Sequence, residues 1–310
     1  MQSIFVFSFN RGPYLENCIA SIAHCAPDAE VTIYDDASDD PETLRVLERL
    51  EARCRIVRRT QSTKARHGSL YGNMQAALDS VTDGRVIAFL QDDTQMIRPF
   101  EEADRQFVAR HFERHPDAAF LAPVFLRGTI RPRRLAQFEY DIEAQVYRFV
   151  QDGQKVAGTY YSDIALIHTG RLHAIDWRFQ GDEFENELQA QRHFGRMGYM
   201  RDPFAMWVPN ARAYRNRSKT LAFRLGEHFS RSGLYPLHIL EREAVAAMRQ
   251  RDAATEKPLP ERFLRLAEGN LPEPWPFNPL KRSRLLRRLN EFEEWLKRLR
   301  RSDSEDTAQP

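Results

Sequence analysis

The sequence predicts an α/β protein: a Rossmann-type, mainly parallel sheet flanked by helices, with a helical C-terminal extension. Three observations carry that expectation. Over residues 3–125, short apolar runs alternate with amphipathic stretches at the pitch of β-α units. The apolar runs are nearly continuous, as in strands covered on both faces. Three of them end in polar clusters: Ser8-Phe9-Asn10-Arg11, Asp35-Asp36 and Gln91-Asp92-Asp93-Thr94.

The elements follow in order. "SIFVFSF" (3–9) is a buried strand. Pro13 then suits the first turn of a helix, along which Leu15, Ile19, Ile22 and Ala23 recur at helical spacing. "EVTIYDD" (30–36) is a second strand, and "PETLRVLERLEA" (41–52) a helix with Asp40 as N-cap and Pro41 at its first position. "RIVRR" (55–59) is a third strand, "SLYGNMQAALDS" a helix and "RVIAFLQDD" (85–93) a fourth strand. A helix near 100–114 and a strand at 118–125 complete a β-α-β-α-β-α-β-α-β run, which predicts parallel pairing with right-handed crossovers.

Beyond residue 126 the alternation fades. "RGTIRPRRL" (127–135) is a basic loop, with "RPRR" able to meet a phosphorylated acceptor or simply to be solvated. "SDIALIH" (162–168) and "FAMWVPN" (204–210) are strands, and "GDEFENELQAQRHFGRMGY" (181–199) a helix. The pattern after 216 is helical. "LPEPWPFNP" (271–279), with four prolines, is a stiff linker. The expected division is residues 1–215 as one domain and 216–310 as a helical region.

Composition narrows the function. A length of 310 residues, 42% hydrophobic and 29% charged, is globular. A net charge of +2 gives no bulk argument for nucleic acid, and none is expected as a partner. No run reaches the ~18 apolar residues of a membrane span. The start "MQSIFVFSFN" lacks the basic region of a signal peptide. Cys18, Cys25 and Cys54 form no C-x-x-C pair, which fits a reducing compartment. The expected location is cytoplasmic.

In open α/β sheets, ligands bind beyond the carboxyl ends of strands, where the three polar clusters stand. Adjacent strand residues face opposite ways, so Asp92 and Asp93 can do different jobs. One suits a hard divalent cation, the other a ribose hydroxyl. A lone Asp-Asp after a strand is more often a turn with a helix cap. Three polar ends on one edge reverse that preference. Asp36 can accept from a nucleobase N–H; Asp39 and Asp40 shape the turn into helix 41–52. His111 and His115 in "HFERH" share a helical face, but without H-E-x-x-H or a third ligand they are expected on the surface.

"FVFSFNRGPYLENCIASI", "VTIYDDASDDPET" and "RVIAFLQDDT" together resemble the opening blocks of family-2 glycosyltransferases, nucleotide-diphospho-sugar enzymes of GT-A fold. Gly68 and Asn73 in "HGSLYGNMQAAL" match the block before the metal strand. The resemblance covers residues 3–100 well and 160–210 more loosely. It implies that Ser8, Asn10 and Arg11 lie near the nucleotide and that Asp36 contacts the base, typically uracil. Asp92 then meets the nucleotide-sugar, and Asp93 holds Mn2+ or Mg2+. Gln91 stands where this D-x-D-like motif usually has its first aspartate.

The resemblance also implies a catalytic base from "GDEFENELQAQR". Family members carry a Glu-Asp pair there, followed by a helix with an arginine; here Glu185-Asn186 precede Arg192. Asn186 cannot act as a base. Glu185 is favoured, Asp182 next, with Glu183 and Glu187 as further choices, and the alternative is an acidic helix start. A histidine common after the last strand is replaced by Tyr214, Arg215, Asn216 and Arg217. Arg215 or Arg217 either neutralises diphosphate charge or is an ordinary surface arginine.

The tail poses a separate question. Asn278-Pro279 predicts a helix start, and Leu285, Leu289, Phe292, Leu296 and Leu299 share one face. Nine Lys/Arg against three Glu lie between 281 and 301. Such a helix over about 280–301 suits an anionic membrane surface, with Trp295 at the interface, or packs on the catalytic domain or a partner. "SDSEDTAQP" reads as a disordered end. The sequence therefore predicts a metal-dependent, inverting glycosyltransferase. It would take a nucleotide-diphosphate sugar, UDP-linked by expectation, to a hydroxyl acceptor, a glycan or lipid-linked sugar of surface polysaccharide or glycolipid synthesis. It would work in the cytoplasm or on the inner face of the membrane. The alternative is a non-catalytic scaffold of the same fold that binds a partner. A nucleotidyltransferase ranks third, since no glycine-rich phosphate loop follows the first strand.

Overall fold

The computed structural model describes residues 3–59, 70–127, 135–150, 158–213, 219–280 and 283–306. Its centre is a nine-stranded mixed sheet of order β3-β2-β1-β4-β9-β6-β10-β8-β7. The first four are β1 (Ser3–Ser8), β2 (Glu30–Asp35), β3 (Arg55–Arg58) and β4 (Val86–Gln91). They pair in parallel with β1 in the middle. Helices α1 (Gly12–Cys25), α2 (Pro41–Leu50) and α3 (Leu70–Asp79) make the crossovers. Ile4, Val6, Ile33, Ile87 and Leu90 are fully buried, which is why these runs carry no polar alternation. Phe7 and Phe89 meet edge-on, centroids 5.0 Å apart.

The fifth strand of the expected run is shorter and placed differently. It is β6 (Phe120–Ala122), reached through α4 (Glu102–Arg114) after a short β5 (Thr94–Met96). It does not pair with β4. Strand β9 (Ala165–His168) lies between them, antiparallel to both. An apolar run reports burial on two faces, but not which neighbour the strand will take.

The region where alternation fades supplies three strands that the pattern did not announce. A hairpin, β7 (Phe138–Asp141) and β8 (Val146–Phe149), closes the far edge, and β10 (Gly198–Met200) joins it to β6. The helix expected over 181–199 ends early: α5 (Thr169–His173) is followed by α6 (Glu183–His193), and then by β10. Gly195 and Gly198 are the stop signals. A Cβ at Gly198 would sit 3.0 Å from the Val146 side chain. The strand expected at 204–210 is β11 (Ala205–Trp207), which pairs with β5 in a separate two-stranded sheet.

The C-terminal region consists of α7 (Leu221–Phe229), α8 (Arg242–Gln250), α9 (Pro260–Phe263) and α10 (Arg284–Asp306). Three expectations change here. The proline-rich 271–279 is packed rather than spanning: Leu271 and Trp275 are buried with Ile97, Phe125, Met206, Leu237, Met248 and Leu264. The Trp275 N–H donates to Glu261 Oε1 at 2.9 Å, and the Asn210 N–H to the Pro276 carbonyl at 2.6 Å. Its prolines fix an extended backbone from which large apolar side chains reach inward. Asn278 makes a local turn with the Leu280 N–H instead of capping a helix. The helix starts at Arg284, with Ser283 Oγ accepting from the Leu286 N–H, and runs to Asp306, into the stretch expected to be disordered, whose last residues lie outside the described ones. His111 is also buried, not on the surface, and burial pushes its imidazole down to about 3. Among the described residues no helix is long and apolar enough to cross a membrane.

Candidate active site

The parallel half brings the ends of β1, β2 and β4 to one edge. Ser8 Oγ and the Phe9 N–H both donate to Asp92 Oδ2 at 3.3 Å. Arg11, at the start of α1, places one guanidinium nitrogen between the aspartates, 3.0 Å from Asp92 Oδ1 and 2.9 Å from Asp93 Oδ2. Its other terminal nitrogen donates to the Arg212 carbonyl, on the loop after β11. So Ser8, Arg11, Asp92 and Asp93, predicted separately, form one hydrogen-bonded cluster.

Electrostatics there are strongly perturbed. Burial pushes the Asp92 carboxyl up to about 6; Arg11 pulls it down and Asp93 pushes it further up. Burial alone would lower the Arg11 pKa, but the charges of Asp93 and Asp92 outweigh that and raise it. Asp93 Oδ1 is buried with no hydrogen-bond partner.

Asn10 and the aspartates of the second strand end divide their work. Asn10 has a left-handed backbone, φ 50°, which asparagine tolerates. Its Oδ1 accepts from the Asp39 and Asp40 N–H groups at 2.9 Å, and its Nδ2 donates to Asp39 Oδ1 at 2.6 Å. It therefore ties the end of β1 to the turn after β2. Asp40 caps α2 through the Thr43 N–H at 2.8 Å. Asp35 holds the turn by accepting from the Ser38 N–H and hydroxyl. Asp36 is buried at the same edge, its N–H donating 3.0 Å to the Ser8 carbonyl. Asn73 is buried on α3 and accepts from Arg59 Nε at 2.8 Å. Gly68, the "RPRR" stretch and Tyr214, Arg215, Asn216 and Arg217 lie outside the described residues.

The acidic helix start sorts less evenly. Asp182 caps α6, its Oδ1 accepting from the Glu185 N–H at 2.8 Å. Asn186 is fully buried and bonds Gln180 and Asp182 backbone, a structural role. Glu187 is buried too, accepting from four successive N–H groups, Gly158 to Tyr161, at 2.9–3.2 Å. Glu183 and Glu185 are exposed on the first turn.

Asp163 carries no motif that singles it out in the sequence. The β4–β9 register pairs Phe89 with Ala165, so Asp163 falls opposite Gln91, next to the aspartate pair. Tyr161 Oη donates to its Oδ1 at 2.6 Å, while Tyr71 Oη and Gln91 Nε2 lie 3.4 and 3.5 Å from its Oδ2. Burial, then the Glu183 charge, push Asp163 up to about 7, against the pull of the two tyrosines. Read as the start of an apolar strand, "SDIALIH" hides it; only the strand pairing shows that it abuts the site.

The arrangement offers a pair of aspartates for a cation, a buried aspartate at a neighbouring strand end and a near-neutral carboxyl beside them. The orphaned Asp93 oxygen fits a metal ligand. Among the described residues no group of three His, Cys, Asp or Glu forms a complete metal cage. Mg2+ and Mn2+ sites on phosphate substrates need no such cage, since one or two carboxylates suffice alongside phosphate oxygens and water. An open cavity of about 900 Å³ between α1 and residues 237–243 is lined by none of these site residues.

A sheet with polar strand ends gathered at one edge defines an α/β protein built to bind a ligand beyond its strands. The family model for glycosyl transferase family 2 matches residues 3–205, and the chain belongs to that family of glycosyltransferases. Among solved structures it is similar to a mannosyltransferase from Pyrobaculum calidifontis in complex with GDP-Man and Mn2+. Identity there is 16%, covering 90% of this chain and 67% of that one, with a TM-score of 0.43. It is also similar to glucosyl-3-phosphoglycerate synthase from Mycobacterium tuberculosis in complex with Mn2+ and UDP-glucose. That likeness has 16% identity, covers 76% of this chain and 79% of that one, and has a TM-score of 0.42. No curated protein matches the chain in sequence at a significant level. At these identities and scores, membership rests on the family match.

Proposed function

We propose that this glycosyltransferase moves a sugar from a UDP-sugar to a hydroxyl acceptor, in a single displacement that inverts the anomeric centre. The acceptor is a glycan or lipid-linked sugar of surface polysaccharide or glycolipid synthesis. The observation that carries the donor site is the cluster of Arg11, Asp92 and Asp93, with its buried, unpartnered Asp93 oxygen. Asp93 and Asp92 would hold Mn2+ or Mg2+, which offsets charge on the departing diphosphate. Asp36 would accept from the base, while Ser8 and Asn10 keep the strand ends in place. Arg11, which bridges the two aspartates here, would be the positive charge available to the diphosphate.

The acceptor oxygen attacks the anomeric carbon, the bond from that carbon to the phosphate oxygen breaks, and its electron pair leaves with the diphosphate. The acceptor proton would go to one of the carboxylates Asp163, Asp182 or Glu185. A general base works best with a pKa near the working pH. Asp163, pushed up to about 7, meets that requirement. Glu185 is the second choice, and Asp182 is engaged as a helix cap. Substitution separates them: Asp163→Asn should abolish transfer while sparing donor binding, and Glu185→Gln should leave transfer within a few-fold.

The test of the donor site is a thermal-shift panel of UDP, GDP, CDP and TDP, with and without Mn2+. At about 100-fold its dissociation constant, a ligand stabilises by about 2.7 kcal/mol. A manganese-dependent shift with UDP, lost in Asp93→Ala, supports the reading. No shift with any nucleotide in folded protein would refute it and favour the non-catalytic scaffold, to which the buried Asn186 also points.

A further inference from the structure

The C-terminal helix α10 packs the wrong way round for a helix whose apolar stripe serves the core. Its contact with α7 is polar. Glu293 accepts from the Leu221 and Ala222 N–H groups at 2.6 and 3.0 Å, and Thr220 Oγ1 donates to Asn290 Oδ1 at 2.5 Å. These bonds satisfy donors that the N-terminus of α7 leaves open, so they fix which face of α10 is inward. The apolar stripe is left outward. Leu285 is 68% exposed, Leu289 42%, Phe292 54% and Trp295 52%, and Phe292 and Trp295 stack at 5.8 Å. Leu221, bonded through its backbone to Glu293, is 63% exposed. Among the described residues, most of the large exposed apolar side chains are thus gathered on α7 and α10, the signature of an interaction surface rather than of scattered surface residues.

Charge identifies the occupant. Residues 281–301 carry nine Lys/Arg against three Glu, while the whole chain has a net charge of only +2. The rest of the protein is therefore net acidic, and the basic charge is concentrated in the sequence segment that carries the exposed stripe. A second copy of the chain would bring two such basic helices together across a two-fold axis, with like charges opposed. An anionic bilayer matches both features: acyl chains and headgroups receive the leucines and aromatics, and lipid phosphates receive the arginines and lysines.

We propose that α10, with Leu221 of α7, is a docking surface for an anionic lipid bilayer, on which the helix lies flat with Leu285, Leu289, Phe292 and Trp295 inserted. This goes beyond the donor-site reading and stands apart from it. A glycosyltransferase held this way meets acceptors at the membrane surface.

The test is co-sedimentation of the full chain with vesicles of phosphatidylcholine alone or mixed in equal parts with phosphatidylglycerol. Binding should require the anionic lipid and weaken as salt is raised. Phe292→Glu with Trp295→Glu alters exposed positions only, and should cut vesicle binding by about tenfold or more while circular dichroism and the nucleotide thermal shift stay unchanged. Arg287→Glu with Arg288→Glu should weaken the preference for anionic lipid and its salt dependence. No binding of folded protein to anionic vesicles, or binding that the aromatic pair does not alter, would overturn the proposal. So would a dimer in solution that the same pair dissociates, since a second copy would then cover the face. Because the nucleotide shift is read on the same variants, failure here is distinguishable from failure of the donor site.

Discussion

Asp163→Asn gives a prediction that needs no substrate. In the fold, burial and the Glu183 charge push the Asp163 carboxyl up to about 7, from an ordinary value of 3.8. The folded pKa lies above the unfolded one, so the folded state holds the proton longer. Asp163 therefore costs no stability below about pH 4, and the cost grows as pH rises towards 7 and then levels off. A difference of about three units at 1.36 kcal/mol each sets an upper bound of about 4 kcal/mol. Partial solvent access to Asp163 reduces this, and about 2–3 kcal/mol is the working expectation. Asparagine keeps the shape and can still accept from Tyr161, but it has no charge to bury. Urea unfolding of wild type and variant should thus diverge with pH, the variant gaining about 2–3 kcal/mol relative to wild type between pH 4 and pH 8.5. The measure is the change in the gap, which is insensitive to any fixed effect of the substitution. Curves that stay parallel over that range, or a gap that moves the other way, would refute the claim that the site holds this carboxyl near neutrality.

Other outcomes follow from the same geometry. Asp93→Ala should keep the fold and lose the manganese-dependent nucleotide shift, read by calorimetry of Mn2+ and UDP binding. Glu187→Ala strands the four N–H groups of Gly158 to Tyr161 and should cost about 4 kcal/mol in urea unfolding, at 1–3 kcal/mol per buried donor with water recovering part. Trp275→Ala should cost about 3–5 kcal/mol, which a solvated linker would not show. Burial holds His111 neutral, pushed down to about 3 from 6.5, so stability should fall as pH drops below 6.5. The loss at pH 5 should reach about 2 kcal/mol, and His111→Leu should remove this acid sensitivity.

The legible parts of the molecule are those in which local pattern and fold agree. The runs that became β1, β2 and β4 are apolar on both faces and end in polar residues, which locates a parallel sheet and its functional edge together. Asp40 and Pro41 mark the start of α2 by short-range chemistry alone, and the Thr43 bond follows. Illegible parts depend on partners distant in sequence. Strand β9 looks like any buried strand, and nothing in "SDIALIH" says that it will lie between β4 and β6. The proline-rich stretch has the composition of a spacer, and only the apolar cluster around Trp275 makes it part of the body.

The same distinction explains why the proposed base is hard to see in the sequence while the proposed donor end is not. Ser8, Arg11 and the Asp92–Asp93 pair come from two strand ends joined by one register, so a motif at each end suffices to bring them together. The acidic segment 181–187 holds five carboxylates or amides whose roles depend on which way each turns. There Asp182 is drawn into capping, Asn186 into local backbone bonds, and Glu187 into a loop some 26 residues away. A carboxylate that closes such a loop is used up by structure. One that titrates near neutrality in the site must be buried beside another negative charge, and Asp163 is in that position because antiparallel insertion of β9 carries it in next to Gln91. If that insertion sets its environment, restoring the first aspartate of the motif should disturb it. Gln91→Asp would place a second carboxylate against Asp163 and raise the Asp163 pKa further. The pH midpoint of the stability difference between Gln91→Asp with and without Asp163→Asn should then move upward by about one unit, the size expected for a neighbouring like charge. An unmoved midpoint would mean that Gln91 and Asp163 are not electrostatic neighbours.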